Sequence, residues 1–295
     1  MNDPLLLALD INNTQIKIGL YRSSDLLHHW RVATDRESTA DEYAMLLRAL
    51  FASVGRSLGN VDGVAVSSVV PPLLDTMDRL ARSYLGTAPL IVGPGIRTGM
   101  RILYENPKEV GADRICNAVA AYAKYGGPSI VVDLGTAMTF SVISADGDFV
   151  GGAIAPGIGI SVDALAEHAA QLYRVELVKP KSAIGRSTVT AMQSGILFGF
   201  VGQVEEILRR MQEELGTPAV TIATGGWADL VIKECRSVSH HEPLLGLEGL
   251  RIIFDRNRES PPERDRESPP ERDRQTLSDL DAPTTPRGTR AVRDV

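Results

Sequence analysis

One arrangement occurs twice in this 295-residue chain, and it limits the fold more than any other feature. From Leu5 to Tyr21 the sequence LLLALDINNTQIKIGLY is an apolar run ending on Asp10. A polar turn follows at Asn12-Asn13-Thr14, then a second segment that carries Lys17 and closes on Gly19. From Ser129 to Ser144, SIVVDLGTAMTFSVIS repeats the plan with Asp133, Gly135-Thr136 and another strand-like segment. The apolar runs have the composition of buried strands, and Asn-Asn is hairpin chemistry. Asn tolerates left-handed backbone better than any residue except Gly, which predicts a tight turn of that kind at Asn12. Such a turn points backbone N–H groups, the Thr14 hydroxyl and the Lys17 ammonium at one place, as a phosphate requires. One hairpin ending in an acid needs no chemistry. Two with the acid in the same place predict a duplicated domain whose turns face each other across a cleft, the shape of proteins that clamp ATP between related halves.

The rest of the chain reads as layers of helix and strand. Thr39-Ala40-Asp41-Glu42 is a capping box before a helix, with Leu46, Leu47, Leu50, Phe51 and Val54 as its apolar stripe. Gly63 to Val70 reads as a strand stopped by Pro71-Pro72. A helix with Leu73, Leu74, Met77, Leu80, Ala81 and Leu85 on one face follows, then a short strand from Pro89 to Val92. This order predicts an α/β layered domain with its sites at strand ends. Asp113-Arg114 opens a helix that Gly126-Gly127-Pro128 ends; an N-terminal carboxylate with a neighbouring ion pair would account for it without chemistry. Gly151 to Gly157 reads as a glycine-rich turn, either packed closely on a ligand or a connector with unusual dihedrals. Helices are expected from Ser161 to Leu172 and from Thr190 to Leu215. The last strand, Val220 to Ala223, enters Thr224-Gly225-Gly226, which can bring backbone close to an adenosine or serve as a plain strand–helix turn. Past Phe254 the composition changes. Residues 255–295 hold ten acids and nine arginines, few large apolar residues, and the tandem octapeptide ESPPERDR. That segment is expected to be disordered, with a binding tail as the alternative.

Composition removes several classes of function. A hydrophobic content of 43% with 23% charge is that of a globular protein. A net charge of −6 leaves no polyanion-binding footprint, which argues against a nucleic-acid partner. No apolar run approaches the roughly 20 residues that span a bilayer, so no membrane partner is expected. The opening Met-Asn-Asp-Pro has no basic n-region, and two cysteines without a close-spaced motif suit a reducing, cytoplasmic setting. Neither the cysteines nor the histidines have metal-ligand spacing.

Taken together, the pieces from about Leu5 to Phe254 resemble the type III pantothenate kinases, a family of the acetate and sugar kinase/Hsp70/actin superfamily. The family's Asp-x-Gly-Asn-Thr-x-x-Lys-x-Gly motif stands here as Asp10, Asn12, Asn13, Thr14, Lys17 and Gly19. Gly-Ala-Asp-Arg is intact at Gly111 to Arg114, behind Tyr104 and Asn106-Pro107. Asp-x-Gly-Thr-Ala-x-Thr is intact from Asp133 to Thr139, and Gly-Gly-x-Ile-x-Pro-Gly from Gly151 to Gly157. Gly185-Arg186-Ser187-Thr188 is a variant of the family's Gly-Lys-Asn-Thr, and Thr224-Gly225-Gly226 completes the set. The chief departure is Asn12 in place of glycine, which sets an amide near a phosphate loop.

The resemblance implies two related RNase H-like (actin-like ATPase) domains with a cleft between them, at residues 1–116 and 117–254, followed by the tail at 255–295. It implies transfer of the ATP γ-phosphate to the primary hydroxyl of pantothenate, the first step of coenzyme A biosynthesis, with Asp113 as general base and Arg114 lowering its pKa if the two pair. It further implies ATP contacts from Asp10, Ile11, Asn12, Asn13, Thr14, Gln15, Ile16, Lys17 and Thr136. Pantothenate contacts are implied for Tyr104, Gly111, Ala112, Asp113, Arg114 and Thr188. Asp10 would hold Mg²⁺ through water, Asp133 would hold the monovalent cation, K⁺ or NH₄⁺, and the protein would be a homodimer. Two rivals stay open. One is a binding or regulatory protein of the same fold, akin to an accessory transcription factor, that has lost turnover through Asn12. The other is a different enzyme on this fold: another small-molecule kinase, a polyphosphate-type phosphatase or a nuclease. A nuclease would need clustered carboxylates and a basic face, and neither is visible.

Overall fold

A computed structural model describes residues 4–169 and 172–258. Its first sheet holds β1 (Leu5–Ile11), β2 (Gln15–Arg22), β3 (Asp25–Ala33), β4 (Val61–Ser68) and β5 (Leu90–Ile91), in the order β3-β2-β1-β4-β5. β1 pairs antiparallel with β2 and parallel with β4. α1 (Ala40–Ser53) begins at the expected capping box, where the Thr39 hydroxyl accepts from the Glu42 N–H and the Glu42 carboxylate accepts from the Thr39 N–H. α2 (Pro72–Leu80) starts at the proline pair. α3 (Ala112–Tyr125) then leads to the second sheet.

That sheet repeats the first. It holds β6 (Ser129–Leu134), β7 (Ala137–Ile143), β8 (Phe149–Pro156), β9 (Val220–Thr224) and β10 (His240–His241), in the order β8-β7-β6-β9-β10. β6 again pairs antiparallel with the next strand and parallel with β9. α4 (Ile158–His168) and α5 (Thr188–Leu215) lie between β8 and β9; α6 (Ala228–Val231) follows β9, and α7 (Leu245–Arg258) comes last. The duplicated α/β architecture is therefore present in its topology.

Burial explains why the central strands read as unbroken apolar runs. Every residue of β1 is buried. Leu5, Leu7, Leu9 and Ile11 enter a core with α1 and α2, while Leu6 and Ala8 enter a second core with α3 and α7. That second core also takes Val131 and Ile222 from the other sheet, so α3 and α7 are shared by both halves. Ile130 and Val132 face a third core with α4 and α5. Strands covered on both faces lose polar alternation.

The structure departs from the sequence reading in several places. Gly151 to Gly157 is not a turn: Gly151 and Gly152 lie within strand β8, paired with Val142 and Ser141. A Cβ on Gly152 would stand 1.7 Å from the Phe140 carbonyl oxygen and 2.8 Å from Arg114 Nη2. The glycine serves close packing of protein on protein. Strands β3 and β10 and helix α7 carried no clear signal. In α7, Gly246 and Gly249 lower helix propensity by about 1 kcal/mol each. They are needed because α7 crosses α3 so closely that a Cβ on Gly249 would lie 1.8 Å from the Cys116 carbonyl oxygen. The division drawn between residues 116 and 117 falls inside the unbroken helix α3. The expected tail boundary at Phe254 is also too early, since α7 continues through Arg258. Arg256 donates to the Thr98 carbonyl, and Asn257 exchanges hydrogen bonds of 3.2 Å and 3.0 Å with the Arg97 backbone. The octapeptide repeat and the rest of the tail lie outside the described residues.

Candidate active site

The first turn is shaped by what leaves β1. Asp10, 2% exposed, stands opposite Lys17 on β2, whose Nζ lies 4.0 Å from Asp10 Oδ2. The Asn12 N–H donates to the Gln15 carbonyl at 3.0 Å, closing the turn. Ser23 is the one non-glycine with positive φ among the described residues, so the left-handed backbone expected at Asn12 does not occur. The Asn12 side-chain amide folds back instead, donating to Asp10 Oδ2 at 3.1 Å. Two groups that sequence reasoning missed brace this turn. Thr34 donates its hydroxyl to the Asn12 carbonyl at 2.6 Å and its N–H to the Thr14 carbonyl at 3.0 Å, and Arg36 donates to Asn13 Oδ1 at 2.9 Å. Both follow β3, the strand that went unread.

The second turn is built on glycines. Asp133 is the penultimate residue of β6, with Oδ1 in a cradle that side chains would fill. A Cβ on Gly225, whose φ is +101°, would come within 2.5 Å of it, and one on Gly135 within 3.2 Å. Gly157 opens α4, and a Cβ there would sit 2.2 Å from the Thr136 carbonyl oxygen. The start of a helix, with its free N–H groups, thus abuts Gly135-Thr136, an arrangement suited to anions. The two turns meet: the Thr14 and Thr136 hydroxyls are 2.8 Å apart.

α3 brings a third acid between them. Gly111 precedes the helix because Asp113 tucks back over it; a Cβ on Gly111 would be 2.4 Å from Asp113 Oδ1. That oxygen accepts from the Arg114 N–H at 2.8 Å. Burial pushes the Asp113 carboxyl up to about 6, and the negative charges of Asp10 and Asp133 push the same way, against the Arg114 N–H and charge. Burial likewise raises Asp133, opposed mainly by the Lys17 charge. One turn further along α3, buried Asn117 donates Nδ2 to Asp133 Oδ2 at 3.1 Å. The sequence signal for Asn117 is its position, four residues after Asp113 within the apolar stretch Ile115 to Ala123, where i and i+4 share a face.

The expected ion pair of Asp113 with Arg114 is absent. Arg114 is 5% exposed and turns toward β7, donating Nε to Ser141 Oγ at 3.1 Å and Nη2 to the Phe140 carbonyl at 2.9 Å. Its guanidinium lies 5.2 Å over the Phe149 ring, on which Tyr104 also packs edge-on at 6.3 Å. The net effect on Asp113 is therefore a raised pKa, the reverse of the lowering that pairing would give. Ile11, Ile16 and Ala112 bury their side chains in the cores, which leaves them only backbone to offer a ligand. Gln15 and Thr188 are exposed, Thr188 in the first turn of α5; among the described residues no hydrogen bond ties Thr188 to the three acids. Asp10, Lys17, Thr14, Thr136, Asp133 and Asp113 are the expected residues that the fold does bring together.

Comparison with known proteins identifies the family. A profile described as type III pantothenate kinase matches residues 6–210. A type III pantothenate kinase of Moorella thermoacetica is 53% identical over 253 residues, covering 86% of this chain and all of that protein. One of Brevibacillus brevis is 53% identical over 254 residues with the same coverage. Among solved structures, a conserved putative Baf family transcriptional activator from Campylobacter jejuni superposes with a TM-score of 0.56 at 17% identity, covering 85% of this chain and 98% of its own. A putative N-acetylmannosamine kinase from Listeria monocytogenes superposes with a TM-score of 0.50 at 15% identity, over 86% and 99%. Those two likenesses speak to the fold alone. With its motifs in order, its paired acid-bearing turns and half its residues shared with these relatives, the chain belongs to the type III pantothenate kinase family.

Proposed function

We propose that this protein transfers the γ-phosphoryl group of ATP to the primary hydroxyl of pantothenate, giving 4′-phosphopantothenate, with Asp113 as the general base. The observation that carries the reading is the placement of Asp113: a carboxyl pushed up to about 6, half-buried at the start of α3 and within the field of both turn acids. A base with a pKa near the working pH combines availability with driving force and contributes on the order of 10²–10⁴-fold. Phosphoryl transfer asks mostly for positioning and charge neutralisation. Lys17 and the Asn12–Lys17 turn would grip the phosphates from one side, and Thr136 beside the α4 N-terminus from the other. The Thr224-Gly225-Gly226 loop would take the adenosine, and Tyr104, Gly111 and Arg114 would shape the pantothenate pocket.

Two ions fit the residues present. Asp10 Oδ1 is buried without a hydrogen-bond partner, as suits an acid holding Mg²⁺ through water, and the glycine cradle around Asp133 Oδ1 suits K⁺ or NH₄⁺. Among the described residues no group of three or more acids, histidines and cysteines forms a metal cage. Bound at Asp10 and Asp133, the ions would supply charge neutralisation of the phosphate oxygens. A homodimer is supported by large apolar side chains left exposed around β8, α4 and the segment before α5, among them Ile154 at 65% and Ile184 at 80%. Two free cysteines support a cytoplasmic setting, and among the described residues no helix is long and apolar enough to cross a membrane. The regulatory alternative loses its chief support, because the Asn12 amide points back to Asp10.

The test is ADP release by the purified protein with ATP, Mg²⁺ and pantothenate, with and without K⁺. Release that requires both pantothenate and K⁺ is expected; none under any of these conditions would overturn the reading.

A further inference from the structure

We propose that Asn117 is a positioning residue for the reaction: its amide holds Asp133 and locks the α3 turn carrying Asp113 to the second sheet. The inference rests on the kinase reading above. Asn117 is 4% exposed, and its neighbours on α3, Ala118 to Ala121, are apolar and buried. Burying an amide is costly unless it is bonded, so a polar residue here calls for a purpose. Its Nδ2 lies 3.1 Å from Asp133 Oδ2, and an ionised carboxylate accepts only from the NH₂ end of an amide. The other end faces the opposite half of the molecule. A Cβ on Gly246 would stand 3.2 Å from Asn117 Oδ1 and 3.0 Å from Asp10 Oδ2. The amide therefore lies between the acid of the second turn and the wall behind the acid of the first.

Charge explains why the residue is neutral. Asp10, Asp113 and Asp133 interact, and Lys17 is the cation that acts on Asp133. An arginine or lysine at 117 would engage an acid that has to receive an ion. An aspartate would add a fourth negative charge, and a leucine would hold nothing. An asparagine orients Asp133 and leaves its charge available. Because Asp113 and Asn117 stand four residues apart on one helix, fixing the second fixes the rotation of the first about the α3 axis.

The test compares the wild-type chain with Asn117→Leu and Asn117→Asp. Turnover is measured together with the rise in melting temperature produced by Mg·ADP, with and without K⁺. Loss of a group that orients an ion-holding acid typically costs about 10–100-fold, so kcat is expected to fall by that order in both variants with KM for pantothenate near the wild-type value. The K⁺-dependent part of the ADP-induced shift should disappear in both. If Asn117→Leu does not fold, Asn117→Asp, which keeps the side-chain shape, decides the question. A variant with lowered melting temperature but wild-type kcat and an intact K⁺-dependent shift would make Asn117 a packing residue and overturn the proposal. A wild-type chain that shows the K⁺-dependent shift but does not phosphorylate pantothenate defeats the substrate reading alone, and the variants' shifts still decide the role of Asn117.

Discussion

The two hairpins share a topology and an acid in the same place, yet their surroundings give the acids different work. Asp10 sits beside a cation, Lys17, and a folded-back amide, with one buried oxygen unpartnered. Asp133 sits against glycine backbone and a neutral donor, Asn117, with no ammonium within ion-pairing distance among the described residues. The first turn spends three residues, Asn12 to Thr14, between its strands and is braced from outside by Thr34 and Arg36. The second spends two, Gly135 and Thr136, and is braced by the start of α4. A duplicated scaffold supplies symmetric positions; the neighbours make the two acids chemically unlike, which is the basis of the different ions proposed for them. Asp113 belongs to neither hairpin. It enters on the helix that both halves share.

The largest effect is expected where the halves converge. Asp113→Asn should lower kcat by about 10²–10⁴-fold while stabilising the fold at neutral pH. The sign follows from the raised pKa: the protonated form is favoured in the folded state, so stability present below about 3.8 is lost as pH rises through about 6. Removing the charge should return on the order of 3 kcal/mol, read as a higher melting temperature at pH 8 than at pH 4 relative to wild type. By the same sign, kcat/KM should climb with pH through about 6 as the base ionises; a limb near 4 would mean that neither burial nor the two turn acids raise Asp113.

The asymmetry itself can be broken next. Asp10→Asn and Asp133→Asn should each cost about 10²–10³-fold in turnover, but only the second should abolish the response to K⁺. Equal K⁺ responses in the two would show that the acids are interchangeable. The outer strands differ too, since β8 needs a glycine and β3 has none. Gly152→Ala, which drives a Cβ into the Phe140 carbonyl and Arg114, should destabilise by about 2–3 kcal/mol in denaturant titration. Removing residues after Phe254 should cost about 1–2 kcal/mol through the lost bonds to Arg97 and Thr98, whereas removal after Arg258 should leave the melting temperature unchanged. The smallest effect is expected from Asn12→Gly: turnover within about twofold and a stability loss of roughly 0.5–1 kcal/mol. A large gain in turnover would show that the Asn12 amide obstructs the phosphate loop.

What could be read from the chain divides along the same line. The central strands, the capping box at Thr39 and the acids at strand ends were legible because burial on both faces leaves unbroken apolar runs and capping leaves a local residue signature. The edge strands β3, β8 and β10 and helix α7 were not. β3 alternates only between half-buried and exposed positions and has no fully buried residue, and the glycines of β8 and α7 carry the marks of turns while serving as contact surfaces. Within the site, Asp10, Lys17, Asp113 and Asp133 were marked by motif. Thr34, Arg36 and Asn117 act through contacts distant in sequence and left only a position in the chain. Arg114 had the right motif and an unexpected partner, because a buried guanidinium is satisfied by whichever carbonyl and hydroxyl the neighbouring sheet presents.

Helix α7 also has a consequence for the order in which the enzyme is made. It is the last described element, yet it packs on α3 and on β1 and β4 of the first sheet, and its Gly246 backs Asp10. Both phosphate turns leave the ribosome well before it does. A nascent chain, or one ended prematurely, would hold both turns without the wall behind Asp10 and Asn117. Because domains settle as units during synthesis, turnover is expected only once α7, the last described element, has packed on α3 and the first sheet.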